Sequence, residues 1–151
     1  MTNWTHEIRR FLESASDAEV GAGASELEIQ AAEKSLGVTF PIRFREYLSW
    51  FGYVSAAHWE LNGLGEGVPA HLNLVTETLL EREQFRPHIP RSLLPLENNG
   101  AGDHSCLDLS SGNDDPPIVF WDHEKDERQV PTPEADHFSQ WLEQRVRASV
   151  A

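Results

Sequence analysis

Three residues that could form a nucleophilic site alternate within one short apolar run. His104, Cys106 and Asp108 offer the imidazole, thiol and carboxylate of a cysteine-nucleophile site. On a strand they would share one face, but residues two apart stand about 6.6 Å apart with parallel side chains. A proton relay would therefore need its imidazole from another element. We expect Cys106 to be a small buried side chain and Asp108 to bind a turn, not a catalytic pair.

Two Asp-His pairs could supply ligands to a divalent metal ion. Asp103-His104 and Asp122-His123 carry suitable oxygen and nitrogen atoms, provided that two strand ends meet. Neither pair has the spacing of a recognised metal motif, and Asp103 lies in a Gly-Asp turn, where a short carboxylate usually accepts backbone N–H bonds. The sequence therefore predicts no metal, no other cofactor and no enzymatic activity. A metal-dependent hydrolase built on these residues is the less favoured alternative.

The acidic residues of the chain are concentrated in one region. The formal net charge is −13, and residues 97–136 contain eleven Asp and Glu side chains against Lys125 and Arg128 alone. Such a charge repels nucleic-acid phosphates and anionic lipids and attracts cationic protein surfaces. The expected partner is therefore a protein, and direct binding to nucleic acid or to a membrane is not expected.

Some carboxylates in this region have predicted structural roles. Asp103, Asp108 and Glu134 are expected to hold turns or to cap a helix. Trp59, between His58 and Glu60, is a further candidate contact, because exposed tryptophans often anchor interfaces. The remaining loop carboxylates complete the predicted partner-binding set, which is Trp59, Asp114, Asp115, Asp122, Glu124, Asp126 and Glu127.

Length and composition indicate one domain over residues 1–151, because this length suits a single core and no long linker divides the chain. Cys106 is the only cysteine, so an intramolecular disulfide cannot form. The first ten residues do not resemble a secretion signal, and no apolar run has the length of a membrane span. We expect a cytoplasmic protein.

Helical periodicity and turn residues predict an α+β order of elements. Ser25 and Glu28 form a capping box that opens a helix, and Gly37 is expected to end this helix. The last helix is expected to start at a Thr132 cap with Pro133 in its first turn. One further helix is predicted to end near residue 14, a second to cover residues 41–51 and a third to cover residues 74–84. Strands are predicted at residues 59–61, 93–96, 105–109 and 118–121.

Two blocks of sequence resemble the SUKH superfamily, which includes Smi/Knr-type cell-wall regulators and bacterial immunity proteins. The first is ASELEIQAAEKSLGVTFPIRFREYLSWFG at residues 24–52. The second joins IPRSLLPLENNGAGDHSCLDLS at residues 89–110 with PIVFWDHE at 117–124 and FSQWL at 138–142. The pair Phe51-Gly52 departs from the Asn-Gly common in relatives, and residues 53–67 follow no family pattern.

The resemblance implies a SUKH-like fold with a mainly antiparallel sheet of about four to six strands and helices packed around it. It also implies a protein that works by binding. The favoured hypothesis is an immunity protein that neutralises a cationic toxin domain, such as a nuclease. The alternative is a regulatory scaffold that binds an endogenous partner, as in the fungal relatives.

Overall fold

The computed structural model describes residues 3–149, which form five α-helices, seven short strands and a 3-10 helix over Ala70–Leu72. The predicted α+β class is confirmed. In chain order the elements are α1 (Asn3–Ser14), β1 (Glu19–Val20), α2 (Glu26–Leu36), α3 (Ile42–Trp50), β2 (Val54–Ser55), β3 (Glu60–Leu61), α4 (Leu74–Glu83), β4 (Leu93–Asn98), β5 (His104–Asp108), β6 (Ile118–Trp121), β7 (Thr132–Ala135) and α5 (Phe138–Ser149).

The strands form two antiparallel sheets. β1, β2 and β3 make a small sheet, and β4 to β7 make a larger one in which neighbours in space are also neighbours in the chain. Loops in such a meander alternate between the two ends of the sheet. The loops at residues 99–103 and 122–131 therefore share one end, here called the upper end. The loop at residues 109–117 lies at the opposite, lower end.

Strands β4 to β6 of the larger sheet are buried on both faces, whereas β7 at the edge is mostly exposed. Leu94, Leu107 and Ile118 occupy adjacent register positions on one face and belong to the main core, together with residues of the helices. Cys106 and Val119 pair on the other face, within a second and smaller apolar cluster. A sheet covered on both sides needs apolar residues at successive positions, so its strands lack strict alternation.

Local signals set the bounds of α2 as predicted. The Ser25 Oγ accepts a hydrogen bond from the Glu28 N–H, and the Glu28 carboxylate accepts one from the Ser25 N–H. Gly37 ends the helix with a φ of 68°, in the left-handed region that glycine adopts without a Cβ clash. The capping box and the glycine stop are both confirmed.

Aromatic rings join α3 to α5. The ring of Phe138 lies edge-on to those of Phe44 and Tyr47, with centroids 5.5 and 5.8 Å apart. All three side chains are fully buried. Edge-to-face pairs contribute about 0.5–1.5 kcal/mol each beyond their buried area, so this contact helps to hold α5 in place.

Buried Asn62 joins the two sheets. Its backbone N–H donates to the Leu96 carbonyl at 2.8 Å, and its side-chain amide donates to the Pro95 carbonyl at 3.0 Å. The Tyr47 hydroxyl donates to the Asn62 carbonyl at 3.1 Å. Each bond satisfies a polar group that would otherwise be buried without a partner. The chain after β3 is thereby fixed against β4.

The prediction for the start of the last helix is wrong. Thr132 and Pro133 were expected to cap and open it, but they belong to β7, and α5 begins only at Phe138. β7 lies at the edge of the larger sheet, where a proline can be accommodated because one side of the strand has no partner. β1 lies between α1 and α2, where the sequence predicted no strand.

Gly63→Ala should destabilise the fold by at least about 3 kcal/mol. A Cβ at this position would stand 1.7 Å from the Gly52 carbonyl oxygen, so the backbone would have to move. Gly67→Ala is the control, because Gly67 has a φ of 80° but nothing within 4 Å of the added Cβ. That variant should lose only about 1 kcal/mol to backbone strain. Urea unfolding measures both, and equal losses would contradict this steric account.

Candidate functional site

The predicted partner-binding carboxylates occupy two separate loops. Asp114 and Asp115 lie at the lower end of the larger sheet, whereas residues 122–127 lie at its upper end. β6 and its flanking residues separate the two groups by roughly 20 Å, at about 3.3 Å per residue. The sequence placed these carboxylates in one acidic region, and the meander turns that region into two acidic loops.

Two members of the set are engaged in holding the fold. The Asp115 carboxylate accepts the Ser139 N–H at 2.9 Å and also contacts the Ser139 hydroxyl, so it caps the N-terminus of α5. The Glu127 carboxylate accepts the His88 N–H at 3.1 Å and lies 3.3 Å from the Arg86 guanidinium. Both side chains connect segments that are far apart in the chain.

The other loop carboxylates are more available. Asp122 and Asp126 each accept a backbone N–H two residues ahead, from Glu124 and Arg128, which shapes the loop and uses one carboxylate oxygen of each. The carboxylates of Asp114 and Glu124 are exposed, and neither has a hydrogen bond or ion pair to any residue in 3–149. Glu124 at the upper end and Asp114 at the lower end are thus the unengaged members of the set.

Trp59 is partly buried and not a free aromatic anchor. Its ring packs against the main core beside β3, and its indole N–H donates to the Ser149 hydroxyl of α5 at 2.6 Å. This contact joins the small sheet to the end of the last helix. A role for Trp59 at an interface stays a prediction, and it would use only the exposed part of the ring.

At the upper end, Asp103 joins the two loops through His123. One Asp103 oxygen accepts the His123 backbone N–H at 3.0 Å and lies 2.6 Å from Nδ1 of the same residue. Asn99 donates to the other oxygen at 3.0 Å. These contacts confirm that Asp103 holds its turn. The side-chain hydrogen bond from His123 is the main cause that lowers the pKa of Asp103 to about 2, and Asp103 in turn raises the pKa of His123.

The strand ends do meet, as the metal alternative required. Ligand atoms of Asp103, Asp122 and His123 lie within 4.8 Å of one another. His104 is not part of this group, because its Nε2 lies 3.0 Å from the Glu81 carboxylate instead. Asp103 and His123 already bond to each other, so a metal ion would have to compete with that pair. The expectation of no metal stays a prediction.

The alternating run of β5 does not form a nucleophilic site. Burial raises the pKa of the Cys106 thiol well above its ordinary value, which disfavours the thiolate that a nucleophile needs. The Asp108 carboxylate accepts the backbone N–H and the hydroxyl of Ser110, as its predicted turn role requires. His104 faces Glu81 of α4. The three side chains have separate partners.

Glu134 has a different structural role from the one predicted. It lies on β7 and accepts hydrogen bonds from the Ser105 hydroxyl at 2.9 Å and from the Trp141 indole N–H at 2.5 Å. Arg145 of α5 stacks over Trp141 and pairs at 2.8 Å with buried Glu97. Burial raises the pKa of Glu97, and the charge of Arg145 acts against that rise. The cluster fixes α5 to the larger sheet.

A cavity of about 350 Å³ adjoins the upper end, and sequence reasoning missed it. Glu60 of β3, His71 of the 3-10 helix, Glu77 of α4 and His104 of β5 line it. No motif could have revealed this group, because its members are spread over four elements and none stands at a recognised spacing from another. The backbone contacts of Asn62 and the pairing of β4 with β5 bring them together.

The fold is that of an α+β domain known from solved structures. A crystal structure of a protein from Pseudomonas syringae pv. tomato superposes with a TM-score of 0.63 at 19% identity, covering 93% of this chain and 95% of that one. No curated protein matches the chain. Among the helices of residues 3–149, none combines the length and the apolar character of a membrane span.

The sequence profile of the SMI1 / KNR4 family (SUKH-1) matches residues 23–144. The chain therefore belongs to this family, as its two sequence blocks indicated. Membership supports a protein of the immunity or regulatory type. It leaves the partner, the binding surface and the absence of catalysis as predictions.

Asp115→Ala should destabilise the protein by about 1 kcal/mol, the usual effect of losing a helix N-cap. Asp114→Ala is the matched control, since the neighbouring carboxylate has no partner within residues 3–149 and should change stability by less than about 0.5 kcal/mol. Thermal and urea unfolding of both variants measure the difference. Equal stability of the two variants would show that Asp115 does not act as the cap.

Asp103→Asn should return the pKa of His123 towards the ordinary value of about 6.5. In the native protein, the raised pKa of His123 stabilises the fold fully below about pH 6.5, and this contribution is lost as the pH rises through the raised value. The lowered pKa of Asp103 stabilises the fold fully above about pH 3.8, and this stabilisation is lost as the pH falls through about 2. The Asp103–His123 pair therefore stabilises the fold most between about pH 3.8 and pH 6.5. NMR titration of His123 checks the shift, and an unchanged titration in the variant would refute the pairing.

Proposed function

We propose that this protein binds a cationic protein partner in the cytoplasm, and that it acts as an immunity protein which neutralises a toxin domain, for example a basic nuclease. Family membership supports partner binding, and the net charge of −13 supports a cationic partner. The observation that carries the proposal is the exposed upper-end loop, in which Glu124 is unengaged and Asp122 and Asp126 each retain a second oxygen.

The electrostatic role of this loop would be to guide encounter. Complementary charge raises association rates and rejects wrong partners more than it adds affinity. Lys125 and Arg128 lie in the same loop. The effect of the loop on association therefore depends on the positions of its carboxylates and not on its net charge alone. Neutralisation would follow from covering the toxin's active site, which requires no chemistry from this protein.

Glu124→Lys should slow association with the partner by about five-fold at low salt and reduce the salt dependence of the rate. Asp114→Lys is the matched control, because it makes the same change in net charge at the other end of the sheet. The partner is captured from the source cells, purified and measured by surface plasmon resonance against both variants. Equal slowing would mean that only net charge matters, and no slowing in either would exclude both loops from the interface.

A regulatory scaffold is the second candidate, because family membership supports it equally. The two functions differ in what the partner does alone. Producing the captured partner in a host without this protein should arrest growth if the protein confers immunity, and co-production should restore growth. A partner that is harmless alone would favour the scaffold.

A further inference from the structure

The two outer strands of the larger sheet differ in how their edges are covered. Along β4, buried Asn62 donates its backbone N–H to the Leu96 carbonyl at 2.8 Å and its side-chain amide to the Pro95 carbonyl at 3.0 Å. β7 pairs with β6 on one side, and no other strand within residues 3–149 pairs with its outer side. Thr132, Pro133 and Glu134 of β7 are exposed. An exposed edge strand is a ready template for pairing with another chain.

The register of β7 shows which way the backbone of Pro133 faces. Pro133 stands opposite Val119 of β6. Opposed residues in an antiparallel ladder either exchange both of their N–H···O bonds or direct these backbone groups away from each other. Proline has no N–H, so Pro133 cannot belong to an exchanging pair, and its backbone groups are directed to the outer side of β7. A nitrogen without hydrogen thus stands where the free edge would otherwise present a donor.

The neighbours of Pro133 extend this stretch without donors. Thr132 occupies the next register position, opposite Phe120, so its N–H is directed to β6 and not outward. Pro131 precedes the strand and also lacks an N–H. After Pro133 the register shifts by one residue, which leaves Glu134 as the extra residue of a β-bulge. Over residues 131–133, the outer side of β7 therefore offers carbonyl oxygens but no N–H group.

The side chains beside this edge would favour pairing if donors were present. Val130 keeps 86% of its accessible surface, more than any other exposed large hydrophobic side chain of residues 3–149. Val130 and Thr132 are β-branched, a type that favours extended, paired backbone. Natural sheets often protect such an edge with proline, because a second strand cannot complete its ladder there.

We infer that Pro131 and Pro133 close the free edge of the larger sheet to strand addition, and that without them this edge would pair with β7 of a second copy of the chain. A two-fold axis would place the two β7 strands antiparallel and join two four-stranded sheets into one. The inference is independent of the proposed function. It also means that a partner which contacts β7 does so through side chains and not by adding a strand.

The test replaces both prolines in the full chain, as Pro131→Val with Pro133→Val, which supplies two N–H groups. In sedimentation velocity, the double variant should shift towards twice the mass of the native species as the protein concentration rises. Pro90→Val is the matched control, since Pro90 is exposed but lies outside every strand, and it should sediment like the native protein. Hydrogen exchange gives a second readout, because the new amides at positions 131 and 133 should become protected as the dimer forms.

Adding Thr132→Lys to the double variant should weaken the association, because like charges would face each other across the new strand pair. The inference is overturned if the double variant keeps the native mass at every concentration and the amides at 131 and 133 exchange freely. Association of the Pro90→Val control to the same extent, or association that Thr132→Lys does not weaken, would also overturn it by placing the contact elsewhere. Should the double variant fail to fold, Pro133→Val alone restores the outward donor and is measured in the same way.

Discussion

The antiparallel meander of β4 to β7 is the constraint on which the other features depend. It sends alternate loops to opposite ends of one sheet, so the order of residues along the chain does not match their grouping in space. This alternation divides the run of acidic residues between the two ends and brings Asp103 next to His123. The upper end collects two loops and the cavity beside them, whereas the lower end receives one loop that is bound to α5. Position in the meander thus decides which side chains share a surface, and each end carries carboxylates that hold the fold, Asp103 and Glu127 at the upper end and Asp115 at the lower end.

Carboxylates help to hold the fold alongside apolar packing. Asp115 caps α5, Glu134 receives Ser105 and Trp141, and Glu97 pairs with Arg145, so the last helix is attached to the larger sheet through acidic side chains at several points. A buried ion pair contributes little net stability, but breaking one partner leaves an uncompensated charge. The Glu97–Arg145 pair therefore defines where α5 sits more than it strengthens the protein. The high net charge overstates the number of carboxylates that are available to a partner.

The sequence predicted the fold where the signals are local or belong to the family pattern. The capping box at Ser25, the stop at Gly37 and the central strands of the meander were found because each depends on neighbouring residues. β1 and β2 were missed because each has only two residues; β3 is equally short, but Trp59 before it extends the alternating pattern to three residues. β7 was missed because its Thr-Pro pair is typical of a helix start. The cap on α5 was missed because Asp115 stands 24 residues from Ser139. The cavity was missed for the same reason, since only tertiary contacts bring its members together.

The unequal engagement of the acidic residues sets which positions can change over evolutionary time. A protein whose partner diversifies must alter its surface without losing its fold. Glu124 and Asp114 can mutate at little cost in stability, because nothing in the described structure depends on their carboxylates. Asp103, Asp115 and Glu134 cannot, because each substitution would also loosen a loop or a helix. Adaptation to a new partner should therefore begin at the exposed loop positions, while the neighbouring structural carboxylates stay fixed.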